Sequence, residues 1–362
     1  MDSSLIERWA DLLVDYCLGV RPGETIALSA DLAGRELVEA CYRAVVPRGG
    51  LPFVRLEPPG LADFFLAHAT DDQLAQTPEW AVREAQSTSA RIRIAAEVAP
   101  AQAAAIDPRR QAVRERALAP VREAARGNRW VITQFPTLLY AGDARMTLAD
   151  YTDFVVRALF LDQPDPAQAW RALGRRQAGL ATFMAGVRSI RVEGPGTDIR
   201  LSVAGRTWIN SDGKRNMPSG EIFTGPIEDS AQGRITCGFP VRRGGREIVD
   251  VALEFQAGVV VAAHAAGGED YLRAMLDIDP GARRLGELGL GLNYGIDRFT
   301  GSILFDEKIG GTIHLALGQS YPETGGVNDS ALHWDLIVDT RRGGRITADG
   351  RTVMEDGRWL VG

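Results

Sequence analysis

The feature that most constrains this fold is a change of hydrophobic period part-way along the chain. In the first half, helical and strand patterns alternate; beyond Ser189 the runs are short and repeat every second residue. Leu5, Ile6, Trp9, Leu12, Leu13 and Tyr16 recur at helical spacing until Arg21-Pro22-Gly23 breaks them. Residues 25–30 predict a strand, Asp31 is expected to cap a helix through Leu37, Cys41 and Val45, and residues 51–56 predict the next strand. Residues 89–96 and 130–135 read as further strands, and 112–125, 148–160 and 167–184 as helices. Strands that alternate with helices imply a parallel sheet covered by helical crossovers.

After the change, residues 190–192, 198–203, 234–238 and 248–255 are strand-like runs separated by Gly, Asp and Asn turns, with a helix expected over 270–276. The predicted fold class is therefore α/β, with an N-terminal βαβ-type domain followed by a mainly antiparallel α+β domain. The expected boundary gives domains 1–185 and 186–362, and 362 residues suit two domains.

Several function classes are set aside by composition. The net charge of -6 comes without any dense Lys/Arg run, so neither nucleic acid nor a membrane surface is an expected partner. No GxGxxG follows the first strand, which removes the dinucleotide fingerprint. Cys17, Cys41 and Cys237 form no CxxC pair, so neither a disulfide framework nor a thiolate zinc site is indicated. The start MDSSLIERWADLL is acidic and amphipathic, unlike a signal peptide, and no run reaches the roughly 20 apolar residues of a membrane span. A cytoplasmic protein is expected.

Two of the four histidines stand close to acidic residues in the second half, and these carry the chemistry. His333 and Asp335 lie two apart in a strand-like run, so both project from one face and converge on the same space. A strand with a polar outer face explains that tripeptide equally well. In 312–318, Ile313, Leu315 and Leu317 share a face and His314 points the other way. Glu287 is isolated among apolar residues and glycines, where an unpaired charge is costly and a cation is expected. Glu307 follows Asp306 after an apolar run, with Lys308 as an alternative ion-pair partner, and Glu221 follows a turn. Together these residues supply oxygen and imidazole ligands and no thiolate, which is ligand chemistry for Zn, Mn, Co, Fe or Mg. A carboxylate-rich set of this kind can hold two metals about 3.5–4 Å apart.

The ordered segments Asn216-Met217-Pro218-Ser219-Gly220-Glu221, Gly286-Glu287, Phe305-Asp306-Glu307, His314-Leu315-Ala316-Leu317-Gly318 with Tyr321, and His333-Trp334-Asp335 resemble the thermophilic aminopeptidase (aminopeptidase T and S) family of metallopeptidases. The resemblance implies two divalent metal ions (Zn, Co, Mn or Mg) held by Glu221, Glu287, Glu307, His314, His333 and Asp335, with Glu287 bridging. It also implies that Tyr321 assists catalysis, with Glu307 or Glu221 doubling as base. The implied substrate is a peptide with a free N-terminus, hydrolysed by metal-activated water, and the implied assembly is a homodimer. The chain departs from the family pattern in a longer spacer, residues 308–313, before His314, and in residues 288–293.

Two other readings stay open. The same fold resembles that of 2,5-dihydroxypyridine dioxygenase, in which one non-haem iron would sit on His314, His333 and Asp335. The further carboxylates Glu221, Glu287 and Glu307 favour the peptidase. A catalytically silent binding module is the third reading, and the intact ligand set counts against it.

Overall fold

The computed structural model describes residues 1–99, 107–243 and 246–361. The chain forms two compact units, Met1–Ala167 with Gly213–Met217, and Gln168–Asp212 with Pro218–Gly362.

The first unit is built on a parallel sheet in the order Leu51–Glu57, Thr25–Asp31, Ala90–Ala95, Arg129–Gln134, Asn216–Met217. Alternation within Thr25–Asp31 sends Ile26, Leu28 and Ala30 into the core. The helix Arg35–Val45 buries Leu37, Val38, Cys41 and Val45 and packs on the first two strands of the chain. Asp31 does not cap this helix as expected. Its carboxylate accepts instead from Arg93 Nη2 at 2.8 Å and from the Ala96 amide at 2.7 Å, a charge-assisted pairing that outcompetes a cap. The chain enters the helix through a 3-10 turn, Leu32–Gly34, with no side-chain cap bond. The helix expected over 112–125 is two helices, Pro108–Ala117 and Ala119–Ala124. Pro120 falls in the first turn of the second, where its missing N–H costs nothing.

The second unit contains two larger antiparallel sheets. One runs in the order Val259–His264, Ala252–Gln256, Gln232–Thr236, Thr197–Ser202, Ser189–Gly194, Arg345–Ala348, Arg351–Glu355, Arg358–Trp359. The other, which carries the ligand candidates, runs His333–Val338, Ile313–Gly318, Leu285–Gly291, Glu221–Thr224, Ile209–Ser211. Residues 248–255 are not one strand: Arg246–Ile248 and Ala252–Gln256 are separated at Asp250, whose φ of 55° turns the chain. The helix Pro166–Ala185 belongs largely to this unit, because Leu180 and Met184 join the core formed by Ile190, Val192, Leu253 and Leu315. The unit thus begins before residue 186. The architecture is mixed α/β, parallel in the first unit and antiparallel in the second.

Ile222, Leu288, Leu290, Ile313, Leu315, Leu317, Trp334 and Leu336 line the core side of the ligand-bearing sheet. By the strand period, the polar residues between them face the other way. Cys17, Cys41 and Cys237 are free and buried. Among the described residues no helix is long and apolar enough to cross a membrane.

Leu315 is fully buried beneath the sheet, so Leu315→Ala removes packing that holds the His314 strand in place. It is expected to cost about 2–5 kcal/mol. The check is denaturant unfolding, where the midpoint should fall with the slope unchanged.

Candidate metal centre

Strand register assembles the centre. Gly291 lies opposite Glu221, Gly289 opposite His314, Ala316 between Glu287 and Asp335, and Gly318 opposite His333. Opposed residues of antiparallel strands point to the same face, about 4.5–5.5 Å apart at Cβ. Each ligand-type side chain on this sheet therefore meets a glycine or an alanine on at least one side, with Ile337 on the other side of His314 and Ser211 on the other side of Glu221. The small residues leave the volume into which the long side chains lean. Gly289 shows it most sharply: a Cβ there would lie 1.9 Å from Cε1 and 2.1 Å from Nε2 of His314. A register irregularity between Leu285 and Glu287 brings Glu287 level with Ala316.

Both imidazoles are oriented by backbone carbonyls. His314 Nδ1 donates to the Glu307 carbonyl at 3.1 Å, and His333 Nδ1 donates to the Gln319 carbonyl at 2.9 Å. A carbonyl can only accept, so each Nδ1 carries a proton and each Nε2 is left facing the carboxylates. His314 Nε2 stands 3.0 Å from Glu287 Oε1 and 3.7 Å from Glu221 Oε2. His333 Nε2 stands 3.4 Å from Asp335 Oδ1 and 3.8 Å from Glu287 Oε2. Glu287 thus presents one oxygen to each imidazole.

Glu307 comes from outside the sheet, at the end of the short helix Ile303–Asp306. Its carboxylate pairs with Lys308, and Lys308 Nζ also lies 3.2 Å from Glu221 Oε1. Lys308, which sequence alone offers only as an ion-pair partner for Glu307, is fully buried. Asp306 is buried as well, its Oδ1 accepting from the Thr300 amide at 2.7 Å and the Thr300 hydroxyl at 2.8 Å. Burial pushes the Asp306 carboxyl up to about 7 despite these bonds.

The electrostatics follow from crowding. Burial raises the Glu287 carboxyl, and the neighbouring Asp335 and Glu221 charges add to it, while the His314 hydrogen bond opposes them. Burial works against a charged His314, but the Glu287 bond and the surrounding carboxylates outweigh it and lift the imidazole above its ordinary value. His333 is likewise penalised by burial yet held up at about 9 by Asp335 and Glu287. Asp335, buried beside His333, His314 and Lys308, is held down at about 2 by those cations.

Among the described residues, ligand atoms of Glu287, His333 and Asp335 lie within 4.8 Å of one another, and so do those of Glu307, His314 and Asp335. The two groups share Asp335. Glu221 belongs to neither group, but its Oε2 is buried without a hydrogen bond, 3.7 Å from His314 Nε2. A buried carboxylate oxygen left in that state calls for a cation. Four carboxylates and two Nε2 atoms form an oxygen and nitrogen donor set that fits divalent metals. Tyr321 stands at the open side, 43% exposed, its ring centroid 5.5 Å from Phe223 and 5.5 Å from His333. Burial and the nearby carboxylates raise its hydroxyl above the ordinary phenol value.

The sequence profile of the thermophilic metalloprotease family (M29) matches residues 2–359. The chain belongs to that family. It is accordingly a metallopeptidase, a hydrolase that depends on divalent metal. Aminopeptidase 2 of Geobacillus stearothermophilus is 28% identical, with 98% of this chain and 97% of the relative aligned. Aminopeptidase T of Thermus thermophilus is 27% identical over 98% of both chains. The fold matches that of wild-type AmpT from Thermus thermophilus with a TM-score of 0.82 at 24% identity, covering 99% of each chain. It also matches 2,5-dihydroxypyridine dioxygenase from Pseudomonas putida KT2440, with a TM-score of 0.63 at 18% identity over 99% of this chain and 98% of that one.

In this M29 member the space over Gly289 is filled by the His314 ring, so Gly289→Ala overpacks the site. The expected cost is about 1–3 kcal/mol. In a His314→Ala background the same substitution should cost far less, a coupling that a double-mutant cycle of denaturant melts measures. Equal costs in both backgrounds would show that the imidazole is not what requires the glycine.

Proposed function

We propose that this M29 enzyme is a cytoplasmic aminopeptidase, removing the first residue from peptides with a free N-terminus. In this reading Glu221, Glu287, Glu307, His314, His333 and Asp335 hold two divalent cations. The observation that carries it is the pair of ligand groups sharing Asp335, drawn from one sheet face and from Glu307 outside the sheet, with Glu287 offering an oxygen to each imidazole. Divalent ions bound there (Zn, Co, Mn or Mg) would supply a water of lowered pKa and polarise the scissile carbonyl.

The residues of the chain do the rest. The carbonyl ties at Nδ1 keep both Nε2 atoms aimed at the site, so no imidazole has to rotate when a cation arrives. Glu307, the one carboxylate of the set contributed from outside the sheet, serves as proton acceptor. Tyr321, a neutral phenol near pH 7 as tyrosines ordinarily are, donates a hydrogen bond to the oxygen that gains charge. The α-amine of the substrate pairs with a carboxylate of the cluster, which limits cleavage to the first residue. We further propose a homodimer; sedimentation of a 39.2 kDa monomer at micromolar concentration would overturn that.

Metal content after purification tests the reading directly. About two divalent ions per chain are expected, whereas one iron with oxygen uptake on dihydroxypyridines would indicate the dioxygenase, and no metal a silent module. Chelation should abolish hydrolysis of aminoacyl anilides, and Mn, Co or Zn should restore it. Activity that persists with metal content near zero would overturn the mechanism.

Two variants separate ligand from donor. Glu287→Gln removes the charge shared between the two imidazole sites and should lose at least one ion. Tyr321→Phe should keep both ions and lower kcat by on the order of 10²–10³-fold. Full occupancy in Glu287→Gln would refute its bridging role. Metal loss in Tyr321→Phe would make the tyrosine a ligand.

A further inference from the structure

A cleft of about 230 Å³ opens beside the ligand face and is continuous with His333 and Asp335. Apart from those two residues its walls are mainly apolar, formed by Phe239, Pro240, Val241, Phe299, Ile303 and Ile337. Ile337 follows Asp335 on the same strand and points to the same face, so the cleft begins where the ligands end.

The walls are fixed by interactions of their own. The Phe239 and Phe299 rings stack with centroids 5.1 Å apart and planes within 4°. Arg341 lies over Phe239 at 5.8 Å and is itself held by Asp339 through bonds of 2.9 and 2.8 Å. The segment carrying Phe299 and Ile303 is clamped by Asp306, which takes both the amide and the hydroxyl of Thr300. Asp306 also borders the cleft, and its Oδ1 is committed to those two bonds.

We propose that this cleft receives the side chain of the substrate's first residue and selects large apolar and aromatic ones, with Phe239, Phe299 and Ile303 as specificity determinants. The inference rests on the aminopeptidase reading. A substrate whose first carbonyl and α-amine lie at the His333 and Asp335 ligands has its first side chain only two bonds away from them. The adjoining cleft is therefore its destination. Size agrees: a cavity of about 150 Å³ lined by apolar side chains accepts benzene. The space here is enough for one aromatic ring. The apolar walls would strip water from a charged side chain, and the further carboxylate at the border, Asp306, already has its Oδ1 engaged by Thr300.

The test is a panel of aminoacyl anilides with metal-loaded enzyme, comparing kcat/KM for Phe, Leu, Ala, Glu and Lys. Phe and Leu should exceed Ala by on the order of 10–200-fold, with Glu and Lys below Ala. Phe299→Ala opens the cleft and Ile303→Trp fills it, and each should lower the Phe-to-Ala ratio by about tenfold or more. Ile303 is 50% exposed, so its replacement tests the proposal even where loss of Phe299 disturbs folding. Bound metal and circular dichroism are recorded for both variants. Hydrolysis with no preference for large apolar residues, or a ratio unmoved in both variants, overturns the inference and leaves the aminopeptidase reading standing. No hydrolysis of any substrate removes both.

Discussion

The close approach of the His314 ring to Gly289 is the constraint on which the rest of the centre depends. Buried carboxylates and imidazoles need lateral room on a sheet whose neighbouring side chains are normally about 5 Å apart. The chain obtains that room by placing Gly or Ala on at least one cross-strand side of each ligand-type residue of the sheet. With the volume available, four carboxylates can gather beside two imidazoles and one buried lysine. Gathered in this way they repel one another, and the raised His333 and lowered Asp335 record how strongly the groups depend on neighbouring opposite charge.

Site and core share the same strands. Residues 313, 315 and 317 are apolar and face the interior, while 314 and 316 face the ligands. Packing on one side thus sets side-chain positions on the other, and a loss of core volume reaches the centre through a single backbone.

Much of this was legible in the sequence. The change of period announced a parallel unit followed by an antiparallel one, and the two-residue spacing of His333 and Asp335 put both on one face. The alternation through 312–318 separated His314 from its apolar neighbours. Register was not legible, because nothing local says which strand lies beside which. Gly289, Ala316 and Gly318 were therefore missed as partners of the ligands, although the two-residue spacing of Gly289 and Gly291 was a visible signal. The helical capping role expected of Asp31 failed because Arg93, 62 residues away in sequence, reaches its carboxylate. The strand expected over 248–255 failed at Asp250, where a left-handed residue interrupts what hydropathy alone reads as continuous.

The division of labour between adjacent strand positions also bears on how such a chain can change in length over evolutionary time. One residue inserted within Ile313–Gly318 or His333–Val338 would turn the residues of that strand beyond it to the opposite face, ligand and core positions alike. Those strands can diverge in identity and hardly at all in number. The connection from Glu307 to the strand at Ile313 is held as closely, since residues 308–312 are buried, Lys308 reaches Glu221, and the Gly311 N–H donates to the Gly291 carbonyl.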